Sequence, residues 1–411
     1  MEFNNKHTII AISLITAIFL AGDAMLYIVL PTHWKEAGLT SLVQVGILLS
    51  VNRFVRLPLN PLIGYMYKRI NFRTGILLAV ILSGITTVCY GFAQDFTVWV
   101  ILRSIWGLAW SLFKLGAFLL ILQLATDSNR GNYVGTYNGL YRLGSLVGML
   151  IGGFFADLFG IKAISIIIGT SALLSIPIIF KYIPRTIQTN EASEKKLSLL
   201  TNFNSFLNSR LIMILGTAFL LVMLLDGMIT ATLSHIIEIK YTDRINLLGI
   251  IVGAATLAGL IQALRWGLAP IIVMKIGTAL DKTNQKNRIL SFFLVCAALL
   301  YFIIPKNVPL LVWMPILLVH LLIASVLTTI MDAIITDYSS RVINKVFIMT
   351  SFTLIVDLGA ALGPIIGYSL EQKIGLTNLF GFSGVVCFFL AVVWLFSRNV
   401  SSIKNLIHQS S

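Results

Sequence analysis

The sequence predicts an all-α membrane protein, with twelve transmembrane helices in two pseudo-symmetric six-helix halves. Three observations carry that prediction. The composition is 57% hydrophobic and only 11% charged, where a soluble domain carries about 25% charged residues. Roughly a dozen apolar runs of about 20 residues can be counted, each long enough to cross a bilayer as a helix. One of these runs also repeats. Residues 142–160, RLGSLVGMLIGGFFADLFG, return without a gap as residues 357–375, DLGAALGPIIGYSLEQKIG. Gly144, Gly148, Gly152 and Gly160 fall on Gly359, Gly363, Gly367 and Gly375. Such a repeat, half a chain length apart, marks two similar halves. Within it Arg142 stands opposite Asp357, and Met149 opposite Pro364.

The runs lie near residues 8–30, 41–66, 75–93, 97–125, 133–158, 161–183, 209–236, 246–276, 289–304, 309–336, 346–370 and 378–397. They place one half at 1–183, a polar linker at 184–208 and the other half at 209–411. The first run is too long for a cleavable signal peptide, is interrupted by Asp23 and lacks a small-residue cleavage site. The net charge of +14 does not point to nucleic acid, because the basic residues collect in alternate loops. About seventeen, Lys68, Arg69, Arg73 and Arg130 among them, fall in one set and about six in the other. That asymmetry predicts an even number of crossings and both termini cytoplasmic; the expected location is the bacterial cytoplasmic membrane, as a multi-pass protein. Cys89, Cys296 and Cys387 all lie inside runs, with no metal spacing and no disulfide framework.

Taken in order, the first run carries Asp23 mid-span, with Thr16 and Tyr27 on the same helical face. Ser41 and Gln44 have capping-box spacing for the second run. That run places Arg53, Arg56 and Asn60 on one face and holds Pro58 and Pro61, which favour a kink. The fourth run lines up Arg103, Gly107, Trp110 and Lys114 as a single stripe. In the fifth, Tyr137, Asn138, Tyr141 and Arg142 precede the glycine ladder. The seventh repeats the first, Asp226 matching Asp23 and Met228 matching Met25. The eighth repeats the second, with Arg265 and Pro270 matching Arg53 and Pro58. The tenth carries His320, Thr328, Thr329 and Asp332. The third, sixth, ninth and twelfth are plain apolar spans.

A charge at mid-bilayer costs about 2.5–3.5 kcal/mol on insertion scales. Asp23, Arg53, Arg56, Arg103, Lys114, Arg142, Asp226, Arg265, Asp332 and Asp357 would together cost on the order of 25–35 kcal/mol if they faced lipid. They must therefore face one another or a wet cavity. Every third run lacks such charges, so the third helix of each triplet faces lipid and the other eight line a central space. Arg142 and Asp357 can form a structural pair or contact substrate, and both readings stay open. Ser111 and Lys114 match the S-x-x-K pattern of acylated-serine enzymes, but lie in an apolar run without companion motifs. No nucleotide-binding, metalloprotease or nucleophile-elbow motif occurs, so no enzyme is expected and energy must come from a gradient.

Two related six-span halves, a polar linker and basic turns after the second and eighth runs resemble the major facilitator superfamily, over essentially the whole chain. The family's turn after helix 2 reads roughly G-x-x-x-D-R-x-G-R-R/K. Residues 64–73 keep Gly64, Arg69 and Arg73 but have Lys68 for the acid; residues 277–282 keep Gly277, Asp281 and Lys282. The resemblance implies that Asp281, with Gly64 and Arg69, serves gating. Arg103 and Gly107 resemble the family's helix 4 motif, which implies proton coupling between Arg103 and Asp23, with Asp226 and Asp332 as further candidates. Gly144, Gly148, Gly152 and Gly153 resemble the helix 5 motif of drug:proton antiporters, with Met149 at its proline position and Pro364 in the second half. Gly363 and Pro364 join the gating candidates, and close helix packing explains the same ladder.

The expected function is a secondary transporter working by alternating access around a midplane site, exporting a small organic compound against protons. Arg53, Arg56, Trp110, Lys114, Tyr141, Arg142, Arg265 and Asp357 are the candidate cavity residues. The basic lining of the first half leaves open uptake of an anionic nutrient, and a lipid flippase is the reading from another class. The expected partners are a small-molecule substrate, protons and the lipid bilayer, in a functional monomer with no cofactor and no metal.

Overall fold

The computed structural model describes residues 5–126, 130–185, 209–241, 245–247, 250–281, 283, 285–340, 342 and 345–397. Nearly all are helical. Among the described residues, ten apolar helical stretches are long enough to cross a membrane. Helix α1 is Asn5–Val29, α2 Leu42–Tyr67, α3 Phe72–Tyr90, α4 Phe96–Leu124, α5 Arg130–Leu174 and α6 Ile176–Tyr182. Helix α7, Ser209–Leu221, runs through a π-helical turn, Val222–Met228, into α8, Ile229–Tyr241. Then follow α9 (Ala254–Asp281), α10 (Lys286–Ile303), α11 (Leu310–Ser340) and α12 (Lys345–Phe396). The described residues form two compact units, one drawn from residues 1–195 and 231–266, the other from 196–230 and 267–411.

In the first unit the helix starts are set by side-chain caps, which satisfy backbone N–H groups that have no helical partner. Ser41 accepts from Gln44 N at 3.4 Å, Asn71 from Thr74 N at 2.9 Å, and Asp95 from Thr97 N at 2.7 Å. Pro58 and Pro61 both sit inside α2, and the helix continues through them. The Tyr67 hydroxyl donates to the Leu112 carbonyl at 2.7 Å, tying the end of α2 to α4. In the second unit Trp394 Nε1 donates to Thr217 Oγ1 at 2.8 Å, and the Tyr301 hydroxyl donates to the Leu224 carbonyl at 2.9 Å. That second bond meets the π-helical turn, where the regular ladder is interrupted. Large apolar side chains cover the outside of both units, including Ile101, Leu158 and Phe159 on the first and Met274, Phe292 and Phe389 on the second. A water-soluble surface would not carry such a coat; a lipid-facing one does.

Two helices are broken by one residue. Gly160 has φ 78° and ψ 172°, and Gly375 has φ 77° and ψ 161°, a region open essentially to glycine alone. The chain reverses at each. Gly148 packs on Ala21 of α1 while Ile168, beyond the break, packs beside Gly22. Likewise Gly359 packs on Phe219, and Trp394 reaches Thr217. The two glycines that close the sequence repeat therefore adopt the same backbone, and the connection expected between the eleventh and twelfth runs shrinks to one residue. At Gly375 a β-carbon would meet nothing within 4 Å, so Gly375→Ala should cost only backbone strain, about 1–3 kcal/mol. At Gly160 the β-carbon would also press on the Glu36 carboxylate, which accepts from Ile161 N at 3.1 Å. Thermal unfolding in detergent checks the order: Gly375→Ala melts below the parent protein and Gly160→Ala lower still.

One expected boundary is corrected. The eighth run reads as apolar from residue 246, but Ile245–Leu247 (β1) and Ile250–Val252 (β2) pair antiparallel, Ile245 opposite Val252, and helix begins only at Ala254. The β-branched Ile250, Ile251 and Val252 suit a pleated strand better than the first turn of a helix.

Candidate functional site

The central feature of the first unit is a charge pair between α1 and α4. Arg103 Nη1 donates to Asp23 Oδ1 at 2.5 Å, and Arg103 Nε donates to the Leu48 carbonyl of α2 at 2.9 Å. Asn52 Nδ2 donates to the same Asp23 oxygen at 3.0 Å. Three helices thus converge on one carboxylate. Gly107 explains the closeness: a β-carbon there would lie 2.6 Å from the Asn52 carbonyl, so α2 and α4 meet backbone to backbone. Phe19, Trp106 and Trp110 pack on one another, with ring centroids 5.3–6.2 Å apart, and the Arg103 guanidinium lies 5.7 Å from the Trp106 ring centroid. The Arg103 side chain is fully enclosed, whereas Asp23 keeps 15% of its side chain accessible.

Around this pair, Arg53 Nε donates to the Tyr27 hydroxyl at 3.3 Å, and that hydroxyl donates to the Leu49 carbonyl at 3.1 Å. Thr16 and Tyr27, expected on the Asp23 face, are both buried in α1. Arg56 and Tyr141 are half-buried, Lys114 and Arg142 are exposed, and Trp110 is buried. Arg265 is buried in α9, its guanidinium over the Trp266 ring at 5.2 Å.

In the second unit Asp226 lies within the π-helical turn and Asp357 on α12, both half-buried. Asp23, the counterpart of Asp226, sits in regular helix. A π-turn of this kind often marks a functional position. Asp332 is exposed at a small cavity of about 110 Å³, beside Ala218, Val222, Thr328, Met331 and Phe352.

The glycine ladders pack helix against helix. β-Carbons at Gly144, Gly148 and Gly152 would fall on Ala17, Ala21 and Met25 of α1, and one at Gly363 would lie 2.6 Å from Gly227. Pro364 follows inside α12. Gly64 meets only the tip of Leu115, and the exposed Arg69 donates to the Tyr65 hydroxyl while lying over its ring at 4.8 Å. Asp281 ends α9, and its side chain lies outside the described residues. Sequence reasoning missed Asn52. It is neutral, and an asparagine next to Arg53 and Arg56 carries no signal of its own.

The Major Facilitator Superfamily family model matches residues 12–323. The multidrug resistance protein MdtG of Proteus mirabilis is 25% identical over 387 residues, covering 92% of each chain. MdtG of an Escherichia coli strain is 22% identical over 397 residues, covering 94% of each. Among solved structures, a bacterial homolog of the human lysosomal transporter Spinster, inward-facing and unoccupied, aligns over 95% of each chain with a TM-score of 0.72 at 15% identity. The nucleoside transporter NupG aligns over 94% of this chain and 98% of its own with a TM-score of 0.72 at 11% identity.

Proposed function

The chain belongs to the major facilitator superfamily, whose members are transporters rather than enzymes, and on that premise we propose that it exports a small organic compound from the cytoplasm in exchange for protons. The protein crosses the membrane twelve times in two six-helix halves, 1–183 and 209–411, joined by the linker 184–208. Both termini lie on the cytoplasmic side of a bacterial cytoplasmic membrane, and a monomer is the functional unit. The single observation that carries the coupling is the Asp23–Arg103 pair with Asn52. An arginine favours the charged form of a neighbouring carboxylate. In the exchange, the Asp23 carboxylate holds Arg103 or a proton, one in place of the other, as the pair forms and separates. The direction rests on the ladder of Gly144, Gly148 and Gly152 and on relatives named for multidrug resistance. Asp226 and Asp332 are the further proton-linked acids. The remaining candidates, from Arg53 and Arg56 through Trp110, Lys114, Tyr141, Arg142 and Arg265 to Asp357, line the path. Gly64, Arg69, Asp281, Gly363 and Pro364 serve the gates.

The test is proton release from the purified protein in weakly buffered detergent, as candidate lipophilic compounds are added near neutral pH. Acidification is expected with the parent protein and is expected to vanish in Asp23→Asn at equal protein level. Binding without proton release would remove the exchange. The exposed Lys114 and Arg142 motivate a second reading, proton-coupled uptake of an anionic nutrient. Counterflow in vesicles separates the two by direction.

A further inference from the structure

The part of α5 just before its break at Gly160 is fastened to the beginning of α9 in a way that neither the repeat nor the family motifs single out. Asp157 Oδ2 accepts from Thr256 N at 2.7 Å and from Thr256 Oγ1 at 2.6 Å. The carboxylate occupies the place a β-carbon on Gly253 would take. The first turn of a helix has backbone N–H groups without helical partners and the positive end of the dipole. Helix α9 is therefore capped, but by a residue from another helix. Below the cap the two helices touch through their backbones. A β-carbon on Gly153 would fall on the Ala255 carbonyl, and one on Gly259 on the Met149 carbonyl. Just before Asp157, the Ala156 carbonyl is bonded to His33 Nε2 at 3.1 Å. A cavity of about 500 Å³ opens beside the cap, lined by Thr32, His33, Asp157, Glu238 and Thr256 among others, so the cap borders open space. In the second copy of the repeat, Gln372 stands where Asp157 does.

We propose that Asp157 is a gating residue: its carboxylate clasps α5 to the start of α9, and breaking that clasp is an obligatory step of the transport cycle. The proposal rests on the alternating-access reading, in which α5 belongs to one half and α9 to the other; here the start of α9 packs within the first compact unit. A seam between halves must then open once per cycle. A seam closed backbone to backbone and fastened by a polar cap suits that duty. Its glycines let the helices close tightly without knobs that would have to be withdrawn. The clasp sits at the Gly160 end of α5, the external end if the termini are cytoplasmic.

The test uses the full-length protein in membranes, with Cys89, Cys296 and Cys387 replaced by alanine and Ala255→Cys as reporter. Ala255 is fully buried at the seam. A membrane-impermeant maleimide is added from outside and the labelling rate is measured. With Asp157 intact, labelling is expected to be slow. Asp157→Ala is expected to speed it by roughly tenfold, the scale of a lost helix cap. Thr256→Val, which removes one of the two bonds, should speed it by less and in the same direction. Rapid labelling with Asp157 intact, or a rate unchanged in both variants, would overturn the clasp. Labelling needs no substrate and no proton. Clasp-dependent labelling in a protein that releases no protons would keep this inference and remove the exchange mechanism.

Discussion

Replacing Arg103 with alanine is expected to destabilise the protein by about 3–5 kcal/mol, the cost of leaving one member of a buried ion pair without the other. The guanidinium is fully enclosed, so its loss opens a void as well as stranding Asp23. Asn52 would remain as a donor to the Asp23 carboxylate, but a neutral amide does not balance a charge. Adding Asp23→Asn should restore much of the folded protein, because a neutral amide can stay buried at far lower cost than a carboxylate. The double variant should then elute as a single species and melt between Arg103→Ala and the parent protein, because the void remains, yet release no protons. Equal melting temperatures for Arg103→Ala and the parent would mean the pair contributes nothing to stability. A double variant that still exchanges protons would move the coupling to another acid.

The second large effect is expected at Gly148. Its β-carbon would fall on the Ala21 backbone of α1, and backbone in a packed helix cannot swing aside as a side chain can. Overpacking of this kind typically costs about 1–3 kcal/mol. Gly148→Val lies at the upper end, because Gly144 and Gly152 hold the same seam on either side. Gly144→Val with Gly148→Val should leave no folded protein in detergent. The control is Gly277→Ala, where a β-carbon would meet nothing within 4 Å and the melting temperature should scarcely move. A Gly148→Val protein that melts with the parent would show that α1 and α5 can separate freely, and the ladder would lose its packing role.

How much of this is visible in the residues follows from where the physics is local. A charge inside an apolar run is expensive wherever it lies, so Asp23 and Arg103 stand out from sequence alone. That they meet is implied by the family resemblance rather than by spacing. The repeat of Gly144, Gly148 and Gly152 foretells close packing, whereas the positive-φ turns at Gly160 and Gly375 show only in the backbone. Asn52 stays hidden because a neutral amide costs little and stands next to two arginines. Asp157 stays hidden because an acid near the end of an apolar run is ordinary; only the approach of α9, some hundred residues later, makes it a cap. The hairpin at 245–252 is absorbed into an apolar run because hydropathy does not separate strand from helix over so few residues. The π-helical turn around Asp226 leaves no trace, since nothing in its composition differs from the turns around it.

The two glycine turns bear on how the chain is made. The helices on either side of Gly160, and those on either side of Gly375, are joined by a single residue. Closing so short a link leaves almost no loop entropy to overcome. As the polypeptide is synthesised, the second helix of each pair emerges directly behind the first, with no polar tether to hold it in water. Each pair is expected to enter the bilayer as one preformed hairpin. The unit of insertion at these two places is then the pair, and a ribosome paused between its two helices would expose an apolar segment whose mate has not yet been made.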